Sequence, residues 1–359
     1  MSSIRRTEKE RLISLFFIFP YSVQSTIKYL MRNGLELRVF GPRRAGNHAV
    51  INWLARQAPH RIHFFNCASH RGLDPYRTGK SRGDKDNEEL QACFESIPNL
   101  QDADEEMIES YRERDKEILM YSYEDLNFDK YVKPRPNNFP KDRRHIIGTS
   151  DFRVDVVIVR DVYNWLASKL KYDANKRDYK IKSILAERFK PNRELRKKMP
   201  YFDTYPGWRK DGRKLDGKVY INLNKMVYIW MSHIRALDAP IEYGLRNPVF
   251  VNYNQWATNY TYRENLIEEH FEAHGFKFTD AGKNEIAVRG GGSSFDGHGI
   301  GSNANEMDVL NRWRYFEGNK LYERIFEFYP HLDVVNNRIF GNIIKPKPTE
   351  ESNILQFKG

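Results

Sequence analysis

The chain has 359 residues, 40% of them hydrophobic, which is enough for a large core and excludes a disordered chain. Its formal charge of +11 is unevenly spread: residues 171–214 hold 15 Lys or Arg against 6 Asp or Glu, whereas residues 84–117 hold 13 acidic residues against 4 basic ones. The two cysteines, Cys67 and Cys93, exclude a disulfide scaffold and a cysteine zinc cluster.

A reducing, cytoplasmic setting is the default for such a chain. Cys67 sits near an apolar run and reads as a small core residue. The basic lobe can steer an anionic ligand. It carries no zinc-finger spacing, no RRM signature and no clear helix-turn-helix, so nucleic acid is not expected as a partner.

Residues 8–33 read as one or two helices broken near Pro20, the second ended by Gly34. The apolar run at 12–20 falls short of the ~20 residues that span a bilayer. It is either a helix packed on the domain, which is favoured, or a peripheral contact with a membrane surface.

Leu37–Phe40 reads as a strand, Gly41 to His48 as a tight basic turn, and the segment through Val50, Ile51, Trp53 and Leu54 as a buried helix. A strand at 62–67 and a loop at Ser69–Gly72 follow, with an exposed segment at 72–87 and a solvent-facing helix at 103–117. The next strand, 118–123, ends at Glu124 and Asp125, and a proline-bearing connection runs over 126–150. Val154–Val159 is a near-continuous β-branched run, the pattern of a central parallel strand, and Arg160 follows it directly. A helix continues from Asp161.

Residues 171–217 form a basic insertion broken by Pro191, Pro200 and Pro206. Residues 219–236 read as an amphipathic helix in which His233 is structural or surface-facing. A strand at 248–254, a helix at 263–274 closed by Gly275, a glycine-rich loop at 289–302 and a helix at 308–328 complete the pattern, with turn and linker residues from Gly341. Strands alternating with helices predict an α/β fold on a central parallel sheet. Ligands of such sheets bind beyond the C-terminal strand ends. That rule gathers the 41–48 turn, Glu124, Asp125, Arg160 and Tyr253 or Asn254 into one crevice.

The turn at 41–48 is not a nucleoside-triphosphate P-loop, because Asn47 stands after Gly46 where GxxxxGK[ST] requires lysine. It can still hold an anion through Arg43, Arg44, Asn47 and backbone N–H groups. Gly41-Pro42-Arg43-Arg44-Ala45-Gly46-Asn47-His48 resembles the 5′-phosphosulfate loop of sulfotransferases that use 3′-phosphoadenosine 5′-phosphosulfate (PAPS). Val156–Ser168 resembles their 3′-phosphate motif, with Arg160 at the family's arginine and Ser168 at its serine. At lower specificity, Phe250–Asn254 resembles the late strand near the adenine site. Val288–Phe295 with Asn311-Arg312-Trp313 resembles the glycine-containing phosphate loop and the helix after it.

The resemblance implies a three-layer, P-loop NTPase-like sulfotransferase fold over residues 36–345. An N-terminal helical segment (1–35), insertions at about 71–117 and 171–217, and a tail (346–359) accompany it. It implies sulfuryl transfer from PAPS to a hydroxyl or amine of a glycan, lipid or small molecule, with adenosine 3′,5′-bisphosphate (PAP) as product and no metal required. The implied cofactor residues are Arg43, Arg44, Ala45, Gly46, Asn47, His48, Arg160, Ser168, Tyr253, Arg289, Gly290 and Gly291. Arg44 stands where the family has lysine, and would stabilise charge on the bridging oxygen. Asn47 stands where it has threonine, and its amide can donate to a sulfuryl or phosphoryl oxygen.

For the base, Glu124 is the first choice, in a cleft that can raise its pKa, and His70 the second. His48 is expected to face substrate or helix rather than to act as the base, and Asp161 to orient Arg160. The competing expectations are a degenerate kinase using ATP and a non-catalytic module binding anions or nucleic acid.

Overall fold

The computed structural model describes residues 32–68, 75–78, 88–98, 100, 103–131, 147–177, 223–286, 295 and 303–341. The run at Leu37–Phe40 is the middle of the sheet. Strand β1 (Arg32–Gly41) leads into helix α1 (Asn47–Gln57) and strand β2 (Ile62–Phe65). Helix α2 (Glu105–Arg112) precedes β3 (Lys116–Glu124). Then come β4 (Thr149–Val159), α3 (Val162–Arg177), α4 (Leu223–Asp238) and β5 (Pro248–Asn252). Helices α5 (Tyr253–Thr258), α6 (Tyr260–His270), α7 (Lys320–Phe328) and α8 (His331–Phe340) follow.

All four strand pairings are parallel, in the order β2-β3-β1-β4-β5. This is the α/β class that the alternation of elements predicts. From β1 the chain turns toward the β2 edge, and from β4 toward the β5 edge. Right-handed crossovers running in opposite directions put α1 and α4 on opposite faces. The central strands are accordingly buried on both sides: Leu37, Val39 and Phe40 on β1 and Val156–Val159 on β4 are all at most 1% exposed.

Several boundaries differ from the sequence expectation. Gly34 does not close a helix; it lies within β1, which begins at Arg32. A Cβ at Gly34 would sit 2.8 Å from the Glu117 carbonyl oxygen, so glycine permits the close approach of β3. The charged helix stops at Arg112, and Lys116 already belongs to β3, its Nζ donating to the carbonyls of Arg112 (3.1 Å) and Arg114 (2.6 Å). The single helix expected over 308–328 is a 3₁₀ turn, Arg312–Phe316, and then α7, separated at Gly318 with φ 72°.

On α4, Met226, Val227, Trp230 and Ile234 are buried. His233 is structural and fully buried, facing the Ile229 carbonyl through Nδ1 at 2.8 Å, and burial pushes its pKa down to about 4. Among the described residues no helix is long and apolar enough to cross a membrane. The N-terminal helices, the 12–20 segment, most of the basic insertion and the tail lie outside the described residues.

Candidate functional site

Strands β1 and β4 are neighbours, yet the chain leaves them in opposite directions. Such a switch point opens a crevice at the C-terminal edge. A cavity of about 660 Å³ occupies it, lined by the 43–49 segment, Glu124, Arg160 and Tyr253, among others.

The loop after β1 is braced from three sides. The Asp125 carboxylate accepts from the Arg43 backbone N–H at 2.7 Å. The Trp165 indole donates to the Arg43 carbonyl at 3.0 Å. The Asn47 amide donates to the Gly41 carbonyl at 3.2 Å and to that of Pro42 at 3.4 Å. The expectation that this amide reaches an anion therefore needs correcting: its N–H groups hold the loop itself.

Arg44 and Gly46 both have positive φ, 75° and 102°. Alternating left-handed residues turn backbone N–H groups toward one side. Gly46 has a second constraint, because a Cβ there would lie 2.0 Å from the Tyr253 ring. Helix α1 starts at Asn47 with no side-chain cap and no acidic residue in its first turn. Its first N–H groups lack intrahelical acceptors, and its positive end meets the cavity.

The second group is cationic and buried. Arg160 is 2% exposed, Arg312 8% and Ser168 fully buried. Both arginines donate through Nη1 to the Ser168 hydroxyl, each at 3.2 Å. Arg160 also donates to the carbonyls of Arg44 (3.3 Å) and Val309, and its guanidinium lies 5.2 Å from the Tyr253 ring centre. Its Nε has no hydrogen-bond partner among the described residues, where it makes no salt bridge. Burial lowers its pKa, as it does for Arg44, where the charge of Arg160 adds to the effect. The Arg44 guanidinium lies 4.8 Å from the Tyr172 ring centre.

Asp161 does not orient Arg160 as expected. It accepts from the backbone N–H (2.9 Å) and side-chain amide (3.0 Å) of Asn164, capping the first turn of α3. Asn164 in turn holds the last segment of the cavity wall, donating to the Leu310 carbonyl at 2.8 Å.

The third group surrounds Glu124. Its carboxylate lies 3.0 Å from Arg43 Nε and 3.5 Å from His48 Nε2. Burial alone would raise its pKa, but the His48 ring, the Arg43 charge and the Cys67 thiol hold it at about 2. The raised pKa expected of this residue is thus not found, because the cleft supplies cations and donors as well as burial. Cys67 is not a core residue either: it is half-buried, has φ 55° and lines the cavity.

Tyr253 and Trp256, whose rings stack at 5.5 Å, line the cavity on the β5 side. Beyond them the wall continues through Lys283, Glu285 and Ile286. Helix α1 anchors that segment, with Arg56 Nη2 2.5 Å from the Glu285 carboxylate and the Gln57 side-chain oxygen accepting from Thr279 N at 2.7 Å.

The structure thus brings Arg43, Arg44, Gly46, Asn47, His48, Glu124, Arg160 and Tyr253 onto one cavity wall, with Ser168 directly behind. Ala45 is buried within the loop. His70, Arg289, Gly290 and Gly291 lie outside the described residues. Sequence reading missed Arg312 and Trp256 as cavity residues. Arg312 was visible only as part of Asn311-Arg312-Trp313, and nothing in that spacing announces its contact with Ser168. Comparisons with protein-family models, with curated proteins and with solved structures return no match.

Proposed function

We propose that the chain is a sulfotransferase that carries the sulfuryl group of PAPS to a hydroxyl or amine of a glycan, lipid or small molecule. One observation carries the reading: two buried guanidinium groups, Arg160 and Arg312, meet on the single hydroxyl of Ser168 beside an uncapped helix terminus. Two guanidinium groups converging where little water reaches suit an anion held by charge-assisted bonds. A donor with phosphate at both ends of its nucleoside suits two cationic cradles on one cavity.

In this reading the 3′-phosphate sits with Arg160, Ser168 and Arg312, by charge-assisted bonds. The 5′-phosphosulfate sits against Arg44 and the N–H groups at Gly46–His48. Tyr253 and Trp256 offer an aromatic face to the adenine. Arg44 keeps its charge under the conditions of the reaction and acts electrostatically on the leaving oxygen, which matters most as the S–O bond breaks. The donor belongs to the reading as a cosubstrate, bound without a metal.

The test is transfer itself. With radiolabelled PAPS, metal chelator and a panel of oligosaccharides, lipids and phenols, label should appear on an acceptor. Phosphoryl transfer from Mg·ATP, with none from PAPS, would contradict the reading and favour a kinase.

A further inference from the structure

Helix α3 presents one stripe of side chains to the loop after β1. Trp165, Ser168 and Tyr172 follow one another at helical spacing and share a face of α3. Each meets the site at a different place. The Trp165 indole donates to the Arg43 carbonyl at 3.0 Å, and the Ser168 hydroxyl accepts from Arg160 and Arg312. Tyr172 lines the cavity, its ring centre 4.8 Å from the Arg44 guanidinium. This part of α3 is docked on the 3₁₀ turn that carries Arg312, because the adjacent Lys171 donates to the Tyr315 hydroxyl at 2.7 Å.

The two arginines of the loop are held by different means. Arg43 faces the carboxylates of Glu124 at 3.0 Å and Asp125 at 3.9 Å. A carboxylate orients a guanidinium and also cancels its charge. An aromatic face orients it through the ring quadrupole and leaves the charge in place. Arg44 has the aromatic face. Its backbone is fixed as well, with φ 75° and the carbonyl accepting from Arg160 at 3.3 Å. Burial lowers its pKa, and the opposing pull of Tyr172 does not restore it. A planar guanidinium stacks on a ring, and a compact ammonium lacks that mode, so the shelf suits arginine at this position rather than lysine.

Resting on the sulfuryl-transfer reading, we infer that Tyr172 is a positioning residue whose ring seats the Arg44 guanidinium on the cavity wall, ready for the 5′ end of the donor. It acts through Arg44 and not on the donor. Seating the guanidinium in advance spares the cost of ordering a long side chain when the donor binds.

The experiment compares two nucleotides on the full chain, by calorimetry without metal. Adenosine 3′,5′-bisphosphate offers a 5′-phosphate to Arg44, and adenosine 3′-monophosphate offers none. Tyr172→Leu should weaken the bisphosphate by ~5–30-fold and leave the monophosphate nearly unchanged. Tyr172→Phe keeps the ring and should bind both nucleotides nearly as the wild type does. In an Arg44→Met background, Tyr172→Leu should have no further effect on the bisphosphate. A merely structural tyrosine would weaken both nucleotides, and its loss would add to that of Arg44.

The inference is overturned, with the donor site left standing, if Tyr172→Leu keeps the wild-type preference for the bisphosphate. Equal losses in Tyr172→Phe and Tyr172→Leu, or additive losses with Arg44→Met, overturn it too. A wild-type protein that binds neither nucleotide, or does not prefer the bisphosphate to the monophosphate, overturns the donor reading itself, and the inference with it.

Discussion

The Nη1 atoms of Arg160 and Arg312 lie equally far, 3.2 Å, from one acceptor, the hydroxyl of Ser168. The residues come from the end of β4 and from the 3₁₀ turn after the glycine-rich segment, so the contact joins distant parts of the chain. It sets two cations together where little water reaches.

Removing one of these charges should therefore separate binding from stability. Arg312→Met keeps the stem volume and removes the charge. The melting temperature of the free protein should change little, because Arg160 still donates to the Ser168 hydroxyl. The rise in melting temperature on adding adenosine 3′,5′-bisphosphate should shrink, with a loss of ~10–100-fold in affinity. Equal bisphosphate stabilisation in wild type and variant would show that Arg312 does not touch the ligand.

Gly46 should tolerate no side chain. Its φ of 102° is left-handed, and a Cβ would lie 2.0 Å from the Tyr253 ring. Gly46→Ala should cost at least ~2 kcal/mol in urea unfolding through backbone strain and overpacking. Adding Tyr253→Leu should restore part of it by removing the clash while leaving the φ penalty. An unaltered Gly46→Ala protein would mean that the loop does not pack on Tyr253.

Glu124 gives a pH signature. Its folded-state pKa is held at about 2 by His48 and Arg43 against the pull of burial, below an unfolded value near ~4.3. The unfolded chain therefore takes up this proton first as pH falls. The contribution is complete above about pH 5 and is lost as pH drops toward about 2, on the order of 3 kcal/mol. Unfolding free energies at pH 2 and pH 5 should differ less in Glu124→Gln than in wild type by about that amount. The same pH slope in both proteins would contradict the ion pairing.

A buried pair beneath the site should be structural. Arg38 on β1 meets Asp155 on β4 in a two-pronged contact, with both bonds at 2.5 Å. Asp155 is fully buried and also accepts from the Arg246 backbone N–H at 2.7 Å. Asp155→Ala leaves the Arg38 charge buried and should cost ~3–5 kcal/mol. The double replacement Arg38→Met with Asp155→Leu should cost less than the single one. A single replacement that leaves the unfolding midpoint in place would rule out a buried charge at Arg38.

The parallel sheet was legible because its strands are short β-branched or apolar runs followed at once by polar turns. Val154–Val159 with Arg160 is the plainest case, and Ser168 follows inside the next helix, within reach of the Arg160 side chain. The partners of those residues were not legible. That Asn47 holds its own loop depends on the turn's backbone path, and that Asp161 caps α3 depends on where the helix starts. Glu124 shows the limit most clearly. Its place at a strand end follows from the pattern, but its proton affinity depends on His48 and Arg43, which reach it from the loop after another strand. Gly34 misled for a related reason: in the sequence it resembles a helix stop, and only the approach of Glu117 from β3 explains it.

Calorimetric titration with adenosine 3′,5′-bisphosphate and with ADP, each without metal, bears most directly on the proposed donor site. The bisphosphate should bind far more tightly than ADP, because only it places phosphate at both cradles. Most of that preference should vanish in Arg160→Ala, as the cradle between Ser168 and the Arg44 carbonyl loses its cation. Equal binding of the two nucleotides, or a preference for the bisphosphate that survives in Arg160→Ala, would contradict the assignment of this cavity to PAPS.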